Sequence, residues 1–351
     1  MNYKLLLSST ALASAGILFA GSASAQDFEV SLQGYTEFQG QAATNETLND
    51  DDGDRGYGFF MDNEVHVLGS GTTDTGIEYG TIVEIEAGSG YNTSDVFVDE
   101  VQVFFAGAFG RVELGQEDGA EDVMHVDASN IAAGTGGIDG DVPNLPEVPG
   151  FGVAGWEVSD SSDATKATYF TPRVGGFQLG GSYAPEFEPD SPSGVDTDGF
   201  GNHFGVGANW TGAFAGLDLT IDAVGSFAEN EIAGAVGPAA EDIQDWAVGF
   251  NTEFAGLALG GAAGQKMEFA EANFANAGIG FGFGPVNTSV NYNFLEPDVG
   301  DNQHFVDVGA DVGVLPGVVL KADVAWNSND PGSSTGEDDT LAGLLGVQLN
   351  Y

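Results

Sequence analysis

The chain has 351 residues, with 54 acidic against 7 basic side chains, a formal net charge of -47, 55 glycines, 25 phenylalanines and no cysteine. Charge of that sign excludes nucleic acid as a partner, and the lack of cysteine excludes thiol nucleophiles, thiolate metal sites and disulfide staples. No apolar run of eighteen residues follows Ala25, which excludes a bundle of membrane helices and leaves a closed barrel of alternating strands as the way to cross a bilayer.

In chain order, residues 1–25 read as an export signal. Lys4 precedes an apolar stretch from Leu5 to Ala20, and Ala23-Ser24-Ala25 supplies a small-x-small triplet, so cleavage is expected after Ala25. Residues 26–351 then form one unit. The run Asp50-Asp51-Asp52-Gly53-Asp54 has the carboxylates of a calcium loop, but its glycine and later ligand do not match EF-hand spacing. Calcium is the one cofactor considered there; none is expected elsewhere.

Alternation at period 2 begins clearly at Ile77, where Ile77, Tyr79, Val83 and Ile85 oppose Glu78, Glu84 and Glu86. It returns from Val286 to Phe294, with Asn287, Ser289, Asn291 and Asn293 on the polar side, then over Gln303–Val314 and Val318–Asn327. Such segments of about ten residues have the length a tilted strand needs to span a bilayer. The stretch Val98-Asp99-Glu100 breaks the parity, and the segments near Leu259 and Ile279 are rich in glycine. Short turns recur at Phe109-Gly110, Gly175-Gly176, Ala215-Gly216, Ala255-Gly256, Gly284-Pro285 and Pro316-Gly317. Between them lie long polar connections at Thr44–Arg55, Glu186–Asp198, Asn230–Asp242 and Asn327–Asp339. Short turns on one side and long loops on the other are the asymmetry of an outer-membrane barrel.

The pattern predicts an all-β fold, a transmembrane antiparallel β-barrel of about sixteen strands with centres running from Leu32 to Leu345; fourteen or eighteen strands are also compatible. The chain ends on the aromatic Tyr351 after a period-2 strand. That ending resembles the C-terminal strand by which outer-membrane proteins are recognised for insertion, which assigns Tyr351 to assembly. One connection stands apart, since the strand pattern is lost from Glu117 to about Asp163, and a loop of that length is usually functional.

The run from Phe109 to Ala120, with an aromatic-Gly turn, a short strand ending in Leu114-Gly115 and the long third loop after it, resembles the general porins of Gram-negative bacteria, especially the alphaproteobacterial type. The resemblance implies a trimer in the outer membrane, a lumen narrowed by residues 117–163, and constriction acids at Glu117, Asp118, Glu121, Asp122 and Asp127. It also implies facing arginines on the wall. Here the chain departs from the family, because inward-parity bases are few (Arg111, Lys166, Lys266 and Lys321). Inward-parity acids are many: Asp62, Glu64, Glu78, Glu84, Glu86, Glu113, Asp218, Asp222, Glu253, Asp307, Asp311 and Asp323. Each alone would do no more than solvate a wet wall, but fixed charge of one sign in a low-dielectric tube acts collectively and predicts preference for cations.

The expected function is a passive channel for small hydrophilic solutes and ions. A substrate-selective channel is the alternative within transport. An acidic exported protein used in adhesion would account for the Asp and Gly content, though not for the apolar parity, the turn asymmetry or Tyr351. His66, His125, His203 and His304 have no paired spacing for zinc, Gly134-Thr135-Gly136-Gly137 lacks the lysine of a phosphate loop, and no catalytic arrangement is legible.

Overall fold

The computed structural model describes residues 28–44, 57–87, 96–140, 156–187, 199–214, 216–231, 241–268, 271–300, 302–329 and 339–351. The candidate calcium run Asp50–Asp54 and the expected signal 1–25 lie outside them. Sixteen strands run in chain order: β1 (Glu29–Thr44), β2 (Tyr57–Thr72), β3 (Glu78–Ala87), β4 (Val96–Gly107), β5 (Gly110–Gln116), β6 (Thr165–Phe170), β7 (Phe177–Glu186) and β8 (Phe200–Phe214). They continue with β9 (Leu217–Asn230), β10 (Ile243–Phe254), β11 (Leu257–Glu268), β12 (Ala272–Phe283), β13 (Val286–Pro297), β14 (Gln303–Leu315), β15 (Val318–Asn329) and β16 (Asp339–Asn350). Every predicted strand centre falls inside one of them.

Each strand pairs antiparallel with its neighbours in sequence, and β16 returns to β1 from Tyr35↔Asn350 to Thr44↔Leu341, closing the barrel. Closure satisfies the backbone along every strand and leaves no open edge, which a bilayer requires. No described helix is long and apolar enough to cross a membrane.

Side-chain parity is inverted relative to a water-soluble fold. Phe59, Phe204, Phe250, Val308 and Leu345 are exposed on the outside, while Glu37, Gln39, Asn291, Asp307 and Asp323 of the other parity are buried. Exposed aromatics gather at both ends of the strands, with Phe109, Phe177, Phe214, Phe254 and Phe283 near the short turns. Toward the long connections stand Phe59, Tyr183, Phe204, Phe227 and Trp246, so two aromatic bands bracket an apolar belt.

The tight turns follow from local chemistry. Ala255 and Gly256 both have positive φ (52° and 81°), the mirror-image turn whose twist matches a hairpin. Pro316 precedes Gly317 at φ 75°, a proline-then-glycine turn. The parity break at Asp99 and Glu100 is a β-bulge: Val83 pairs with Val101 and Ile85 with Val98, so the single residue Glu84 opposes both acids.

Between β5 and β6 the described chain forms one helical turn, α1 (Ala120–Val123), and two 3-10 turns at Ser129–Ile131 and Gly137–Asp139. Ala120, Met124 and Val158 pack with Phe170, Val224, Ala247, Phe274 and Leu295. Ala128 and Ile138 pack with Phe305, Ala325, Ala342 and Leu344. Met124 and Ile138 are each 2% exposed, and burial of such a side chain contributes about 1.5–3 kcal/mol.

Candidate functional site

A segment without a ladder of its own must still satisfy its backbone N–H groups, and wall side chains do this at six positions among the described residues 117–140 and 156–163. Ala120 N donates to Ser182 Oγ of β7 at 3.1 Å, Val126 N to Asp222 Oδ2 of β9 at 3.0 Å and Ala128 N to Asn276 Oδ1 of β12 at 3.0 Å. Ala133 N donates to Ser289 Oγ of β13 at 2.8 Å, Thr135 N to Asp323 Oδ2 of β15 at 3.1 Å, and Ser159 N to Asp245 Oδ2 of β10 at 2.8 Å. His125 adds an ion pair to Asp222 at 2.8 Å; burial pulls its imidazole pKa down, but the Asp222 carboxylate together with the charges of Asp127 and Asp122 outweighs this and the net direction is up.

Glycine on the wall makes the approach close enough. A Cβ at Gly249 would stand 1.8 Å from Val126 O, and one at Gly309 2.2 Å from Ala133 O. Gly260 and Gly278, in the glycine-rich strands near Leu259 and Ile279, face Asp127 O and the Ile131 side chain in the same way. The glycines that weaken those strands in sequence are the floor on which the segment lies.

The five acids expected at a constriction take three positions. Asp122 and Asp127 line a cavity of about 750 Å³, Asp127 at only 2% exposure and accepting from the Ser129 N–H and hydroxyl. Asp118 stands with Glu100 and Asp163, their carboxylate oxygens within 4.8 Å of one another. Glu117 and Glu121 are buried against the wall, at 3% and 0% exposure. Burial first, then the Glu113 charge, pushes the Glu117 carboxyl up to about 8; burial pushes Glu121 up to about 7.

The four inward bases each have a local partner. Arg111 pairs with Glu113 and lies 4.1 Å over the Phe104 ring. Lys166, 4% exposed, donates to the carbonyls of Glu117 and Ser162, so it ties the two ends of the segment together. Lys266 donates to Ser159 Oγ at 3.0 Å, and Lys321 pairs with Glu37 at 2.6 Å. On β2 and β3, His66 bridges Glu64 at 2.8 Å and Glu84 at 3.0 Å, and Glu86 stands opposite Glu64. Glu64, His66 and Glu84 are grouped closely enough to hold a metal ion. Tyr351 exchanges backbone hydrogen bonds with Gly34 of β1 at 3.1 Å in each direction, which extends the closing seam.

The cavity lies between the segment, the ends of β13–β16 at the short turns, and β1 and β2. Its lining carries seven carboxylates (Glu37, Asp62, Asp122, Asp127, Asp139, Glu157 and Asp311) against Lys321 and His125. Glu37, Asp139 and Glu157 were not singled out in the sequence, and neither was Asp245. Counting in twos from Val248 places Asp245 on the inward parity, and the same count from Phe38 places Glu37 there; for Asp139 and Glu157, in a segment without alternation, no sequence signal exists.

A family model described as "Gram-negative porin" matches residues 8–332. Among solved structures, the anion-selective porin from Comamonas acidovorans is 17% identical, with 93% of this chain and 100% of that chain covered and a TM-score of 0.67. An engineered variant of the Rh. blastica porin is 18% identical, with 92% and 100% covered and a TM-score of 0.64. A curated but uncharacterized protein of Rickettsia felis is 26% identical over 217 residues, 52% of this chain and 48% of that protein, so the chain spans about half the length of that relative. With a family match over nearly its whole length and a closed sixteen-stranded barrel of the same fold, the chain belongs to the Gram-negative porins.

Proposed function

We propose that this porin is a passive, cation-preferring channel of the outer membrane, in which residues 117–163 fold into the lumen and form the constriction. The observation that carries this is the cavity lining: seven carboxylates face one lysine and one histidine, and the lysine is already bonded to Glu37. Screening at physiological ionic strength acts over about 8 Å, so a narrow passage between these groups stays within reach of their field. Cations are enriched there and anions depleted, and the preference falls as salt rises. No chemical step is required of the protein; the hydrogen bonds from β7 to β15 hold the segment in place and the acids set the potential.

The residue pattern of the first 25 positions and the family resemblance extend this assignment. The export signal ends at Ala25, the barrel trimerises in the outer membrane, small hydrophilic solutes and cations pass, and Tyr351 serves assembly. Conductance in planar bilayers tests the constriction. Deletion of Gly119–Gly137 should raise single-channel conductance severalfold, whereas an unchanged conductance in a correctly inserted barrel would place the segment outside the pore.

A further inference from the structure

A carboxyl group fully removed from water is costly to ionise unless a base or several donors compensate it. Glu121, at 0% exposure in α1, has a socket built around it. Ser182 donates its hydroxyl to Glu121 Oε2 at 2.9 Å. Oε1 lies 3.5 Å from His203 Nε2 of β8 and has no hydrogen-bond partner. His203 is itself 0% exposed; its Nε2 meets Ser226 Oγ of β9 at 2.9 Å and its Nδ1 has no partner. The floor is Gly205, where a Cβ would stand 1.4 Å from Glu121 Oε2, so no other residue leaves room for the carboxyl.

We infer that Glu121 is a positioning residue whose protonation controls how firmly the constriction segment is seated: Glu121 and His203 hold one proton between them in a glycine-floored socket, and its loss to solvent loosens α1 from β7, β8 and β9. The inference rests on the proposed lumenal position of the segment. Deprotonation leaves a carboxylate against a neutral imidazole in a site closed to water. The charged groups around it do not repair this. The Glu121 backbone N–H and the Ser182 hydroxyl of β7 favour the carboxylate, as does the Lys166 charge of β6, but Lys166 is engaged by the carbonyls of Glu117 and Ser162, Asp222 of β9 is bound to His125, Asp160 adds negative charge, and burial outweighs them.

The direction agrees with the carboxyl pKa, which burial raises to about 7 from an ordinary value of 4.5. A carboxyl raised in the seated state binds its proton more tightly there than when released. Its contribution is therefore fully present below about pH 4.5, declines as pH rises, and is gone above about 7. Glu117, also raised, adds in the same sense.

Hydrogen exchange of the full-length protein in liposomes, followed at the amides of Gly119–His125 and corrected for the intrinsic pH dependence, reads the seating directly. Protection in the wild type should fall more than about tenfold between pH 5 and pH 8.5. Glu121→Gln, which keeps an acceptor for Ser182 and removes the Glu121 titration, should fall by much less across that range, the remainder coming from Glu117. Gly205→Ala, which evicts the carboxyl, should be poorly protected at both pH values. Wild-type protection that does not change with pH, or an equal fall in Glu121→Gln, would overturn the inference. Conductance of the Gly119–Gly137 deletion separates this failure from failure of the constriction itself, because a loop deletion that widens the pore alongside pH-independent exchange removes the socket's role alone.

Discussion

Two parts of the same wall use the same residue type in opposite ways. On β9, β10 and β15, Asp222, Asp245 and Asp323 are buried and accept backbone N–H groups from the segment between β5 and β6. On β1, β2 and β14, Glu37, Asp62 and Asp311 border the cavity and take none of these N–H groups, and Glu37, itself buried, holds Lys321. The first group is an anchor, and the second is the one to which the proposed cation preference assigns the potential. An inward acid is therefore not informative by its parity alone; what decides its role is whether the segment lies on it.

This contrast can be broken from either side. The largest effect is expected from the anchors: Asp222→Ala removes the acceptor of Val126 N and the partner of His125 together, and each buried group left unpaired costs about 1–3 kcal/mol. Limited proteolysis should then cut within 119–139 while the barrel stays intact; resistance equal to the wild type would deny Asp222 its anchoring role. Gly249→Ala acts on the same half by shape, since its Cβ would meet Val126 O at 1.8 Å. Displacement of the segment should appear as raised single-channel conductance and added current noise, and a channel indistinguishable from the wild type would show that the close approach is not needed. On the open half, Asp311→Asn should leave protease resistance unchanged and lower cation preference modestly. The smallest effect is expected from Lys321→Met, which releases Glu37 from its 2.6 Å ion pair and should raise cation preference slightly; a shift toward anions would mean that Lys321 acts as a structural post for the wall.

Much of the architecture was legible because period 2 is imposed by the bilayer on one side and water on the other. Val286–Phe294 and Val318–Asn327 declare their strands without help from tertiary contacts. Even the irregular Val98-Asp99-Glu100 was a true signal, a bulge rather than a missing strand. The segment between β5 and β6 was legible as an exception and no further. Its length marked it, but the division of its acids between cavity and wall depends on which glycines in distant strands lie beneath them. Glu121 and Asp122 are adjacent in sequence, yet one is fully buried over Gly205 and the other borders the cavity. No local pattern distinguishes them, because the pairing with Gly205 joins residues far apart in the chain.

On the proposed reading, the acids on the cavity, and not acids in general, make the channel prefer cations. Reversal potentials across a potassium chloride gradient at low salt, for the wild type and for two variants, test it most directly. Neutralising Asp122, Asp127, Asp139 and Glu157 to their amides should shift the potential strongly toward zero, while neutralising Glu78, Asp218, Glu253 and Glu296, away from the cavity lining, should move it far less. A wild-type potential that favours anions, or equal shifts in the two variants, would contradict the claim.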